Sequence, residues 1–353
     1  MPSLPNSASR VIVFITTGIL LSHAAVSFAQ RPYVVGYMPA YKDIRATADS
    51  TDMTKLTHIN VSFFNPAVDG QFIRDGEPAC MQGASVADLD HVVQSAHTAG
   101  AKVLIAIAGG VIPACGGDWS TLLKPARRQS VINQLVQFVE DHNLDGVDVD
   151  IEGALLTKID AEGNYTPFVA QLREALKGKL LTAATATYDG GMIPVSSIPY
   201  FDFVTLMSYD AIGPTWGPPG AEHSSYSVAE AHVASWRERG LPAEKLVLGL
   251  PFYGYGFGKY ASEYYTFDDL VSQFGASVAT KDLVGEACAG CDYITYNGIP
   301  TLQQKVLLGL REGAGVMIWE MSQDTQGSLN LLNAVHQSIQ SLRDDGEGRR
   351  GGL

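Results

Sequence analysis

Leu144-Asp145-Gly146-Val147-Asp148-Val149-Asp150-Ile151-Glu152-Gly153 alternates apolar and acidic side chains from Val147 to Glu152. Side chains of a strand point to opposite faces with period two, so Asp148, Asp150 and Glu152 share one face. Val147, Val149 and Ile151 share the other. At the rise of an extended chain, successive acids on that face lie about 6 to 7 Å apart. Like charges buried at that spacing cannot all ionise cheaply, so at least one carboxyl is expected to keep its proton near neutral pH. A proton held in this way is what a general acid needs. Two other readings of the ladder exist. Polar residues on the wet side of a half-exposed strand would alternate in the same way, and carboxylates also bind Mg²⁺ or Ca²⁺. No His-x-x-x-His pattern and no calcium-loop spacing accompanies the ladder, so neither a metal nor any other cofactor is expected.

Outward from this stretch, short β-branched runs alternate with longer amphipathic segments, the pattern of βαβ units on a parallel sheet. The predicted strands are 33–37, 57–64, 103–108, 146–151, 181–186, 203–209, 246–250 and 316–319. Helical spacing of apolar residues falls at 86–99, 125–142, 167–177, 228–239, 301–312 and 329–342. Eight units in one continuous chain predict an α/β fold, a closed (β/α)8 TIM barrel. In such a barrel the strands are covered outside and packed inside, so a face bearing three acids demands a function. Glu152 ends its strand at the carboxyl face, where barrel enzymes place their chemistry. The segment 257–300, rich in Tyr and Gly, predicts a small insertion between strands 7 and 8. Residues 30–343 are thus expected to form one catalytic barrel, followed by a disordered tail at 344–353.

The net charge of −13, from 37 acidic and 24 basic residues, argues against a nucleic-acid partner. Residues 1–29 read as an export signal: Arg10 flanks an apolar run at 11–21, and Ser27-Phe28-Ala29 supplies small residues at a cleavage site. That run is too short to span a bilayer, so a secreted or periplasmic protein free of the membrane is expected, as a monomer. The even cysteine count fits an oxidising compartment. Cys80 and Cys115 lie in loops and Cys288-Ala-Gly-Cys291 forms a tight turn, so the pairs expected are 80 with 115 and 288 with 291.

Asp145-Gly-Val-Asp148-Val-Asp150-Ile-Glu152 resembles the Asp-Gly-x-Asp-x-Asp-x-Glu signature of glycoside hydrolase family 18, the chitinases and endo-β-N-acetylglucosaminidases. Met207-Ser208-Tyr209-Asp210, Gly249-Leu250-Pro251-Phe252-Tyr253-Gly254 and Gly315-Val316-Met317-Ile318-Trp319-Glu320 resemble the ends of that family's sixth, seventh and eighth strands. The resemblance implies a retaining endo-glycosidase acting on β-1,4-linked N-acetylglucosamine polymers such as chitin, through an oxazolinium formed by the substrate's own acetamido group. It makes Glu152 the acid, Asp150 the group holding the acetamido N–H, Asp148 its charge partner, and Tyr209 a donor to the acetamido oxygen. Asp210 would support the same sugar and Trp319 would floor it. Tyr37, Met207, Trp216 and Tyr255 are further candidate substrate-binding residues, Trp216 and Tyr255 from loops on that face. Trp236 falls inside a helical pattern and reads as core, and the histidines form no ligand cluster. One departure stands out: the family's third strand often ends Ser-x-Gly-Gly, and the aligned residues are Ala106-Ile107-Ala108-Gly109. Two alternatives stay open, an endo-β-N-acetylglucosaminidase acting on glycoprotein glycans and a non-catalytic chitin-binding, lectin-like member.

Overall fold

A computed structural model describes residues 31–262 and 264–348; the expected export signal and its cleavage site lie outside them. Eight parallel strands close into a barrel: β1 (Tyr33–Pro39), β2 (His58–Phe64), β3 (Lys102–Gly109), β4 (Gly146–Ile151), β5 (Leu180–Thr185), β6 (Phe203–Leu206), β7 (Leu246–Pro251) and β8 (Gly315–Trp319). Each pairs with its sequence neighbours, and β8 closes on β1. Helices cover the outside, so the apolar side chains form two separate layers. Val147, Val149 and Ile151 pack outward among the helices, while Val35, Tyr37, Ala106, Phe203, Val247 and Met317 fill the interior. This division is the physical content of the β4 alternation, and it leaves Asp148 and Asp150 buried inside the barrel.

The helices start and stop where local chemistry dictates. Val86–Ala99 opens on a capping box between Ser85 and Asp88, and ends at Gly100 with φ 81°. Pro125 begins Pro125–Asp141, where its missing N–H costs nothing. The helix Gly153–Ala161, which was not expected, follows directly on Glu152. Two disulfides, Cys80–Cys115 and Cys288–Cys291, join the sulfurs in the expected pairs.

Three boundaries differ from expectation by three residues or more. β6 stops at Leu206 rather than at 209, because the Ser208 N–H turns back to the Leu206 carbonyl and Asp210 takes φ 62°. The insertion begins at Tyr253, not at 257: after Phe252 the chain enters an antiparallel sheet of Tyr253–Phe257, Tyr265–Thr266, Tyr293–Thr295 and Leu283–Gly285. The last helix is Leu331–Gly348, so the expected disordered tail is helical as far as Gly348, since each residue added to a formed helix gains a backbone hydrogen bond. Residues 349–353 lie outside the described chain.

Candidate active site

At the carboxyl ends of the strands a cleft of about 400 Å³ opens, lined by Tyr41, Phe63, Gly110, Val111, Asp150, Glu152, Met207, Tyr209, Asp210 and Trp319. A second hollow of about 360 Å³ continues it past Trp319 and Asp210 to Trp216, Tyr253 and Tyr255. The β4 ladder forms the acidic wall. Gly110 passes so close that a Cβ there would lie 3.1 Å from Glu152 Oε1, so a larger residue would press on the acid.

Asp148, deepest of the three, is held from two sides: Tyr37 donates to Oδ2 and Thr182 to Oδ1, both at 2.6 Å. Burial pushes its pKa up to about 6, against the downward pull of the hydrogen bonds from Thr182 and Tyr37. Asp150 is pushed well above the ordinary carboxylate range, first by burial, then by the charges of Glu152 and Asp148 and by its hydrogen bond with Glu152. Its Oδ1 is buried without a protein partner. Burial also raises Glu152 to about 7; the charge of Asp210 acts in the same direction and the contact with Asp150 opposes it. Burial and mutual repulsion thus favour a proton retained by the pair; both members line the cleft, and Glu152 is the more exposed of the two.

Tyr37, expected to touch substrate, is 1% exposed and lies beneath the site. It positions Asp148, and its ring packs 5.3 Å from Trp319. Phe63 stacks on the same indole at 5.8 Å, so Trp319 is a floor braced from below. Trp319 and Met207 line the cleft, and Tyr209 is buried with its ring edge-on to Tyr253. Asp210 Oδ1 accepts from the Tyr253 hydroxyl at 2.5 Å, and its carbonyl accepts from Trp216 Nε1 at 2.9 Å. Tyr255 stands edge-on to Trp216, 5.6 Å away. Trp236 is core, as expected.

Several residues here carried no clear signal in the sequence. His223 lies fully buried against Tyr253 and Tyr255, 3.8 Å from Asp210, with its pKa lowered chiefly by burial. Behind it, Lys305 donates to Ser224 Oγ at 2.6 Å and to Asn297 Oδ1 at 2.7 Å, fixing the loop that follows Asp210. Tyr253 stood inside a quoted motif but was not singled out. Thr182 was a polar residue on an apolar strand, a weak signal until register is known. That register explains the Ala106 departure. Ala106 and Thr182 flank Asp148 on its two neighbouring strands, so the hydroxyl absent from β3 comes from β5. Ala108, with φ 72°, takes a conformation that costs a non-glycine residue about 1 to 2 kcal/mol, and its carbonyl is held by Asn65 Nδ2 at 3.0 Å.

The Thr182 bond can be tested by itself. Hydrogen bonds to charged groups contribute about 1.5 to 3 kcal/mol, so in Thr182→Val the Asp148 carboxyl should titrate roughly one to two pH units higher. Carbon NMR of labelled aspartate would read this; an unmoved midpoint would remove Thr182 as a support.

A parallel barrel that opens a carboxylate ladder into an aromatic-floored cleft defines a barrel hydrolase of the carbohydrate-cleaving class. A profile of the Glycosyl hydrolases family 18 matches residues 33–324, and the chain belongs to that family. It is similar to the solved GH18 chitinase ChiB of Flavobacterium johnsoniae, 35% identical with TM-score 0.76, covering 89% of this chain and 96% of that one. A chitinase structure from Bacteroides thetaiotaomicron is 26% identical, TM-score 0.71, covering 88% and 97%. A class V chitinase of Arabidopsis thaliana is 28% identical over 270 residues, covering 65% of this chain and 71% of the relative. Relatives named chitinase-like, such as human chitinase-3-like protein 2 at 25% identity over 68% of this chain and 76% of that protein, also match. Among the described residues, no helix is long and apolar enough to cross a membrane.

Proposed function

We propose that this protein is a retaining endo-chitinase that cuts β-1,4 linkages of N-acetylglucosamine polymers by substrate-assisted catalysis. The observation that carries the reading is the pair Asp150 and Glu152. Glu152 presents to the cleft a carboxyl whose pKa is raised to about 7, and Asp150 is shut beneath it. Both come from one strand and face one wall. Asp150 therefore cannot attack the sugar from the opposite face, as the second carboxylate of an ordinary retaining glycosidase does. An acetamido group of the substrate supplies the missing nucleophile: its oxygen attacks the anomeric carbon as Glu152 protonates the departing oxygen.

The remaining residues fit that reaction. Asp150 accepts the acetamido N–H and stabilises the positive ring that forms, while Asp148, held by Tyr37 and Thr182, supports Asp150. Tyr209 donates to the acetamido oxygen, Asp210 steadies the sugar and Trp319 floors its apolar face. Met207, Trp216 and Tyr255 line the rest of the binding cleft. Water activated by Glu152 then opens the oxazolinium with retention. No step calls for a metal. We read residues 1–29 as an export signal on this enzyme.

The test is a product profile from colloidal chitin, N-acetylglucosamine oligomers and a high-mannose glycopeptide incubated side by side. Chitin and oligomers should yield mixed short products from the first minutes, with the glycopeptide intact. Cleavage of the glycopeptide alone would assign the endo-β-N-acetylglucosaminidase reading, and binding without cleavage the lectin-like one.

A further inference from the structure

We propose that Asn65 is a positioning residue for the acid: it holds Ala108 in the left-handed conformation that keeps the turn Ala108-Gly109-Gly110 against Glu152. The inference rests on the reading of Glu152 as the acid of a glycosidase and concerns a residue which that reading does not use. Ala108 pairs with Asp150 and Gly109 with Ile151, so the turn leaves the barrel wall beside the end of β4. Two successive left-handed residues, at φ 72° and φ 92°, bend it sharply. It is wedged between the floor of the cleft and the acid. On one side a Cβ at Gly109 would come within 2.6 Å of the Phe63 ring, which stacks on Trp319. On the other side a Cβ at Gly110 would lie 3.1 Å and 3.3 Å from the two carboxyl oxygens of Glu152.

Glycine suits two of the three positions, one for its φ and one for the close approach, but the first is an alanine, which the left-handed region disfavours. Asn65, the residue after β2, supplies what holds Ala108 there. Its Nδ2 donates to the Ala108 carbonyl at 3.0 Å. Its own place is fixed twice over, by Trp119 Nε1 donating to its Oδ1 at 2.7 Å and by its backbone N–H donating to the Cys80 carbonyl at 3.1 Å. Cys80 is in turn bonded to Cys115, which joins the loops after β2 and β3 at this point. Asn65 borders the cleft but is fully buried, with both ends of its amide engaged, so it acts on the reaction through Ala108. Without that bond Ala108 would relax towards negative φ and carry Gly110 off the acid. The charges that act on Glu152 come from Asp150 on its own strand and from Asp210 after β6. The turn brings no charge. It excludes water from one side of the carboxyl, and that exclusion favours the protonated acid.

The experiment is a mutant cycle in the full-length enzyme, read on chitotetraose. Asn65→Ser, too short to reach the carbonyl, should lower kcat by about tenfold and leave KM within about twofold, since the substrate contacts stay in place. The pH at which kcat falls should move down, because water then reaches Glu152. Glycine meets no penalty at the φ of Ala108. Against Ala108→Gly as the reference, the loss caused by Asn65→Ser should therefore shrink to about threefold and the pH limb should return. A role confined to stability would give the same loss in both backgrounds and an unmoved limb; that result, or an unchanged kcat in Asn65→Ser, would overturn the assignment. If Asn65→Ser does not fold, Asn65→Asp, which keeps the volume and the acceptor for Trp119 but loses the donor, carries the same cycle. A wild-type protein inert towards chitotetraose would instead overturn the glycosidase reading itself, and the assignment with it.

Discussion

Glu152→Gln is expected to abolish turnover of N-acetylglucosamine oligomers while leaving their binding intact. Gln keeps the shape of the side chain and its hydrogen bonds, but it cannot deliver a proton to the glycosidic oxygen. General-acid assistance is worth about 10² to 10⁴ in rate, and the same group must later activate water, so both halves of the reaction suffer. In the wild type the acid works only while Glu152 holds its proton, and its carboxyl titrates at about 7. Turnover should therefore fall as pH rises through that value, and the variant should lose this limb along with its activity. Calorimetry of chitotetraose binding beside an oligomer assay checks both halves; near-normal turnover in Glu152→Gln would remove it as the acid.

Asp150→Asn is expected to slow turnover by about 10² to 10³, because removing one preorganised electrostatic group costs that much when charge develops only in the transition state. The same substitution should not weaken the fold. All three ladder carboxyls have folded-state pKa values raised above their ordinary range, with burial the leading cause. The folded state therefore binds more protons than the unfolded one between the ordinary carboxylate range and about pH 7. The stability tied to these groups is present at low pH and is lost as pH rises through that window. At pH 7 the ladder opposes folding, and Asp150→Asn removes a group whose ionisation is penalised first by burial and then by Glu152 and Asp148. Thermal unfolding at pH 7 should show Asp150→Asn melting no lower than wild type. A lower melting point together with slow turnover would mean that the residue acts through structure instead of charge.

The part of this site that one strand carries was legible in the sequence. The β4 alternation needs only the period of two, so the inward acids, the outward Val147, Val149 and Ile151, and the exposed end at Glu152 followed without tertiary information. The eight strands followed for a similar reason, since each is a short apolar run between helical segments. What depended on contact across strands did not follow. Tyr37 was expected to touch substrate, and only the pairing of β1 with its neighbours shows it buried, bonded to Asp148 and packed against Trp319. Thr182 meets Asp148 because β4 and β5 are in that register. His223 reaches Asp210 through a loop whose path is set by Lys305, a partner far along the chain. The start of the insertion was misplaced because Tyr253-Gly-Tyr-Gly-Phe257 is a strand, though one that belongs to another sheet.

The most direct test of the mechanism is the anomeric form of the product before it equilibrates. Proton NMR of chitotetraose hydrolysis, recorded within the first minutes at neutral pH, separates the α and β signals of the new reducing end. If the acetamido oxygen is the nucleophile and Glu152 directs water to the same face, the fresh product is β and drifts towards the equilibrium mixture afterwards. An initial excess of the α form would contradict substrate assistance and require a different role for the carboxylates of β4.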